Sequence, residues 1–445
     1  MLRNLPRDGT TRRKTARDIV FSWAVCAALT LCLALTAAAF AREKIPPQEK
    51  TKAQESASAG AAVSDGVQVQ FAFSGNVAQV PAQVAAALAL VPVSVNGSQP
   101  SWFLLDTTRA TSAIDDVRAV AVGLYAPAGE SQRRKSFSNV TLEFPGLRIS
   151  LPALGLDSFG DFSTRIGHAV QGVLGADVLS HLVVKIDYQA QSVQLYDPKA
   201  FQYNGGGAGI PLEMSAGIPA MAGKVTVRHR GKFSGLIAIA TAQSEPVAFS
   251  PKFAAAHSFY DLSERMLPFP GLDATSDTDV RDFLGRVQEI QFGKVTLADP
   301  IGIFPGKSDK GGGAGGVPEQ FVCAIGGEIL ERFTVILNYP AKMLIVEPNK
   351  TFTNAFTTDM SGLTIVAIPP TFDRFEVAQV AKRSPAAGAG IAVGDMIENV
   401  DGNPASDYSL DDIRAVLRQD GTEHKLSVLH DGKTIEVKLE LQPLI

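Results

Sequence analysis

An internal repeat limits how this chain can fold more than any other feature of its sequence. Val173-Leu174-Gly175-Ala176-Asp177 leads to Ile186-Asp187-Tyr188, and Ala324-Ile325-Gly326-Gly327-Glu328 leads to Leu337-Asn338-Tyr339. Gly175 and Gly326 stand 151 positions apart, as do Tyr188 and Tyr339. Upstream of each copy is a hairpin. The first turns at Asn96-Gly97 and returns through Trp102 to Asp106-Thr107-Thr108; the second turns at Arg230-Gly231 and returns through Leu236 to Ala240-Thr241-Ala242. Between these landmarks lie two more hairpins, over 140–151 and 290–297. Alternating β-branched and polar residues around glycine turns mark all four as antiparallel strand pairs. Whole supersecondary units repeated in order, at a spacing beyond any solenoid period, require two copies of one β domain in tandem.

The 445 residues exceed that duplicated region and can bury several cores. A 45% hydrophobic and 19% charged composition excludes a mainly disordered chain, and 40 Gly with 26 Pro imply many turns. Residues 1–41 join a basic start (Arg3, Arg7, Arg12, Arg13, Lys14, Arg17) to an apolar run ending in Ala39-Phe40-Ala41, the layout of an export signal. Uncleaved, the same run is long enough to anchor the chain in a membrane. Either way the body is expected outside the cytoplasm, periplasmic or secreted. The formal charge of −4 hides a signal at +4 and a body at −8, which argues against a nucleic-acid partner. Residues 42–66 are polar and Ala/Ser/Pro-rich, a flexible linker. Of three cysteines only Cys323 lies outside the signal, so no internal disulfide is expected, and Cys323 reads as a small buried side chain.

The repeated landmarks resemble the retropepsin-like aspartic peptidase family, in which each lobe carries a strand ending in Asp-Thr-Gly, a flap hairpin, a hydrophobic-hydrophobic-Gly segment and an Asp-Tyr strand. The resemblance covers about 67–350 and implies a mainly β protein, with retropepsin-like acid-protease lobes over 67–203 and 204–352. It also implies catalysis by paired carboxylates that share one proton, one acting as acid and the other as base. Here the sequence departs. Asp106 stands at the first position, Ala240 at the second, and a methyl group holds no proton. Thr107 and Thr241 match the family's next position, whose hydroxyls cross-brace the two loops. Thr108 and Ala242 replace the glycine that follows, which crowds the site.

Asp106 therefore has two readings: a surviving catalytic residue beside Thr107, or a loop cap accepting backbone N–H groups. The segment 126–135 occupies the flap position, and its Arg133, Arg134 and Lys135 are either a solvated face or contacts for an acidic ligand. The glycine run 311–316 lacks the context of a phosphate loop and reads as a mobile loop. Six scattered histidines without cysteine partners offer no metal site, no Gly-x-Ser-x-Gly is present, and no cofactor is expected.

From about Asp359 the texture changes. The stretch Arg383-Ser384-Pro385-Ala386, the turn Val393-Gly394-Asp395, a capping box from Ser409 to Asp412 and a last hairpin around Asp431-Gly432 resemble an α+β PDZ domain in its bacterial arrangement, over 353–445. PDZ domains bind an extended peptide as an added strand and hold a terminal carboxylate on backbone amides. The resemblance implies that Ser361, Gly362, Leu363 and Thr364 face the carboxylate, that Ile365 and Val366 pair with the peptide, and that Val416 lines its pocket. The alternative is a PDZ-shaped cap that packs on the lobes and binds nothing.

Three functions follow as expectations. The first is an exported, degenerate peptidase that holds peptides or protein C-termini. The second is a working aspartic endopeptidase that draws its second carboxylate from elsewhere or from a second chain. The third is an envelope scaffold acting through its PDZ module.

Overall fold

The hairpin leading to Asp106 forms from Leu88–Val95 and Ser101–Leu105, and its counterpart from Ile218–Val227 and Gly231–Ile239. The first hairpin is apolar and buried at nearly every position, whereas the second is buried mainly over residues 218–221 and 237–239 and alternates elsewhere. The computed structural model describes residues 66–72, 75–124, 135–259, 265–269, 282–306 and 316–445. The export signal, nearly all of the linker, the flap segment up to Arg134 and Gly311 to Gly315 lie outside the described residues. The chain is mostly β, as the sequence requires.

Both copies share one arrangement. In the first, Gly172–Leu174 lies between Ser101–Leu105, to which it is parallel, and Ala113–Asp115, to which it is antiparallel. In the second, Cys323–Ile325 lies between Gly231–Ile239 and Val247–Phe249 with the same two senses. Gly175 and Gly326 follow the inserted strands, and neither tolerates a side chain. A Cβ on Gly175 would sit 2.9 Å from the Arg109 carbonyl oxygen, and one on Gly326 would sit 2.2 Å from that of Glu245. The repeated glycine therefore exists for close backbone approach.

A six-stranded sheet joins the lobes, each contributing three strands. At its centre Val183–Asp187 runs antiparallel to Phe333–Asn338, with Lys185 opposite Ile336. These two residues also stand 151 positions apart, so the register itself carries a two-fold relation between the copies. Asp187 and Asn338 are turn residues: their side-chain oxygens accept the amides of Ala190 and Ala341. One apolar core runs through both lobes, and Cys323 is fully buried within it, its thiol pushed up to about 12 by that burial.

The C-terminal module has its own core and sheet, with Leu363–Ala367 at the free edge, paired on one side only with Phe375–Val380. The capping box forms as expected: Ser409 Oγ accepts the Asp412 amide, and the Asp412 carboxylate accepts the Ser409 amide. Ser384 caps the short Pro385–Gly388 helix. The connector into this module is tied down by buried Arg332, whose guanidinium donates to the carbonyls of Thr351, Phe352, Asn354 and Ala355 and stacks 3.6 Å from the Phe356 ring centroid.

Candidate functional site

The loops that follow the two hairpins meet at the lobe boundary. The Asp106 amide donates to Leu174 and the Ala240 amide to Ile325, each at 2.9 Å, so the two residues hold equivalent places. Thr107 Oγ1 donates to the Ile239 carbonyl and accepts the Thr241 amide at 3.1 Å. Thr241 Oγ1 donates to the Leu105 carbonyl at 2.6 Å and accepts the Thr107 amide at 3.1 Å. Only a hydroxyl can donate and accept at once in so small a space. Both threonines are buried, so no water can replace these partners.

Above this brace the copies differ. Asp106 is half-buried, and its Oδ1 accepts the Thr108 amide at 2.9 Å and the Thr108 hydroxyl at 2.7 Å. Ala240 is 5% exposed and packs among Ile218, Ala220, Ala238, Ile303 and Phe321. Among the described residues, the cluster around Ala240 is apolar, and the position equivalent to Asp106 carries a methyl group. With a methyl group at the equivalent position, Asp106 has no partner there with which to share a proton; the other carboxyl on these two loops, Glu245, lies five residues beyond Ala240. Tyr339's own burial, and less strongly the Asp106 charge, raise the pKa of the Tyr339 hydroxyl.

Asp106, Thr108 and Ala240 line a cavity of about 1180 Å³ that continues along the lobes to the C-terminal module. Its far wall is the free strand edge Thr364, Ile365 and Val366 together with Asp411, Arg414, Ala415 and Arg418 of the Leu410–Val416 helix and the turn after it. The expectation for Val416 is corrected here. Positions 411, 414, 415 and 418 share one helical face, so Val416 turns onto the module's own core instead.

The groove of the C-terminal module faces the lobes. Asp411 accepts the Ala86 amide at 2.7 Å. Arg414 Nη2 donates to the Arg165 carbonyl at 2.6 Å and to the Ile365 carbonyl at 3.3 Å. Arg418 pairs with Glu328 at 2.9 Å. Glu328 is the repeat counterpart of Asp177, whose shorter carboxylate stays within its lobe and accepts the Ser112 amide and hydroxyl. In the second copy the strand register puts Val247 where Ser112 would be, and the longer Glu328 reaches the other module. Burial, then the neighbouring Glu328 charge, pushes the Glu331 carboxyl up to about 7, and burial raises Glu245 as well.

The loop expected to hold a carboxylate already holds one. Asp359 Oδ1 accepts the Gly362 amide at 2.6 Å and the Leu363 amide at 3.2 Å, and Ser361 Oγ donates to both of its oxygens. Ser361 is fully buried, and Gly362 adopts φ +82° with Ser384 packed so close that a Cβ would meet it at 2.2 Å. Burial pushes the Asp359 carboxyl up to about 6 despite these donors. Sequence reasoning missed Asp359; the available signal was an Asp placed to cap the amides three and four residues on.

Residues 376–429 match the family model described as PDZ domain. No curated protein matches the chain. Among solved structures, the aspartic proteinase from Irpex lacteus is similar at 14% identity and a TM-score of 0.36, covering 62% of this chain and 99% of its own. A photosystem II D1 C-terminal processing protease is similar at 27% identity and a TM-score of 0.18, covering 19% of this chain and 23% of its own.

Proposed function

We propose that this is an exported protein of retropepsin-like aspartic-peptidase descent, whose two lobes and PDZ domain hold an extended polypeptide without cleaving it. In this reading, residues 1–41 direct export, 42–66 tether the body, and the units 67–203, 204–352 and 353–445 form the holder. Nucleic acid has no part in it.

The observation that carries the reading is the contrast on the paired loops: a complete threonine brace beneath Asp106 on one side and a methyl group in an apolar setting on the other. Peptide-bond hydrolysis by a water needs a base to take its proton and an acid to serve the leaving nitrogen, and each contributes about 10²–10⁴-fold. One carboxylate cannot fill both roles in one transition state. The cavity, largely apolar near Ala240 and bounded at the PDZ end by a free strand edge, supplies what holding requires: apolar contact and a row of backbone groups.

The test is incubation of the full chain with a denatured protein across acid to neutral pH, beside an Asp106→Asn variant. The expected result is saturable binding with no cleavage by either protein. Cleavage by the parent that disappears in Asp106→Asn would overturn the proposal.

A further inference from the structure

The Asp359 carboxylate occupies the donors at which a PDZ ligand would end. Resting on the polypeptide-holding reading above, we infer that the PDZ groove selects internal segments, continuous with chain lying in the inter-lobe cleft, and rejects free C-termini.

Gly362 and Leu363 each have one amide proton: that of Gly362 points at Asp359 Oδ1, and that of Leu363 is shared between Asp359 Oδ1 at 3.2 Å and Ser361 Oγ at 3.1 Å. The Ser361 hydroxyl, another donor of this loop, is also directed at Asp359. A ligand carboxylate arriving here would find its donors engaged and would meet a second negative charge at contact distance, where two carboxylates cannot both stay ionised without cost. A peptide unit in mid-chain carries no such charge.

The surroundings suit a chain that passes through. The space beside Thr358 and Asp359 does not end there but belongs to the cavity that also borders Ala240 and Asp106. At about 1180 Å³ it exceeds the ordinary size of a small-ligand pocket, about 300–1,000 Å³. The strand edge offers the Ile365 carbonyl, whose contact with Arg414 is the longer of the two that Nη2 makes. A ligand amide can take over that carbonyl while Arg414 keeps its bond to Arg165. The Gly160–Ile166 helix of the first lobe packs against Leu363–Ala367, so strand addition requires a ligand to displace that helix from the edge, while carboxylate capture is closed by Asp359.

The experiment uses the full chain and two fluorescein-labelled synthetic peptide pools of about ten residues, identical except that one ends in a free carboxylate and the other in an amide, read by anisotropy. The parent should bind both with dissociation constants within about twofold, and Asp359→Ala should bind the carboxylate pool at least about tenfold tighter than the amide pool. A parent that favours the carboxylate pool by about tenfold overturns this inference and leaves the polypeptide-holding reading standing. A folded Asp359→Ala without that preference overturns it too. Binding of neither pool removes the holding reading itself, and this inference with it. Should Asp359→Ala fail to fold, the comparison on the parent still decides.

Discussion

Replacing Thr241 with valine removes one hydroxyl and almost nothing else, because the two side chains fill the same volume. The lost oxygen serves two buried backbone groups: it donates to the Leu105 carbonyl at 2.6 Å and accepts the Thr107 amide at 3.1 Å. Thr241 is 2% exposed, Thr107 and Leu105 1% each, so neither orphaned group reaches water. A buried donor or acceptor left unmet costs about 1–3 kcal/mol, which puts Thr241→Val at about 2–4 kcal/mol. Thr241→Ser keeps the hydroxyl and loses one methyl, for about 0.5–1 kcal/mol. Urea unfolding of the three proteins should show a lower midpoint for valine, little change for serine and an unchanged slope. The two hydroxyls lie 3.3 Å apart and share partners, so Thr107→Val combined with Thr241→Val should be non-additive by about 0.5 kcal/mol or more. Equal losses for valine and serine would refute the claim that hydroxyl bonding, and not packing, joins the loops.

The remaining expectations follow from burial. Ala240→Asp sets a carboxyl into an apolar cluster on the loop paired with that of Asp106, and should cost on the order of 3 kcal/mol at pH 7 and clearly less at pH 4, where the new group is protonated; equal melting shifts at both pH values would contradict this. Glu331, raised from 4.5 to about 7, stabilises the fold fully below about pH 4.5 and loses that contribution as pH rises through 7, for about 3 kcal/mol. Asp359 acts in the same direction, so Glu331→Gln should flatten most but not all of the decline between pH 5 and 8; a variant whose stability slope matches the parent's would sink the assignment. Gly326→Ala forces a Cβ to within 2.2 and 2.5 Å of the carbonyl oxygens of Glu245 and Gln243, and should cost about 3 kcal/mol or more; a melting temperature like the parent's would show that this crossing can yield.

What could be read from the sequence is what recurs locally. Gly175 with Gly326 and Asp187 with Asn338 each answer a demand of the backbone beside them, so the demand left glycine twice in one case and a side-chain oxygen on an Asp or Asn in the other. Thr107 and Thr241 identified Ala240 as the counterpart of Asp106 even though alanine carries no signal of its own. The mutual placement of lobes and C-terminal module was not legible. Arg418 with Glu328 and Ala86 with Asp411 join positions far apart in the chain and leave no periodic pattern. Val416 sits one position from Ala415, which borders the cavity, an error that a resemblance without coordinates cannot detect. Asp359 was hidden because a ligand-binding loop was expected to be empty.

The symmetric register of the central sheet has a consequence for how the site could change. Two identical chains joined through Lys185 and its neighbours would set every substitution into both halves, so the aspartate could be lost only from both loops together. Joined in one chain, the halves are free to differ. Lys185 can face Ile336 instead of another lysine, Asp177 can bond its serine while Glu328 reaches a different module, and one loop can carry a carboxylate where the other carries a methyl group. Covalent linkage of the halves is thus the condition under which a symmetric frame can carry an asymmetric site.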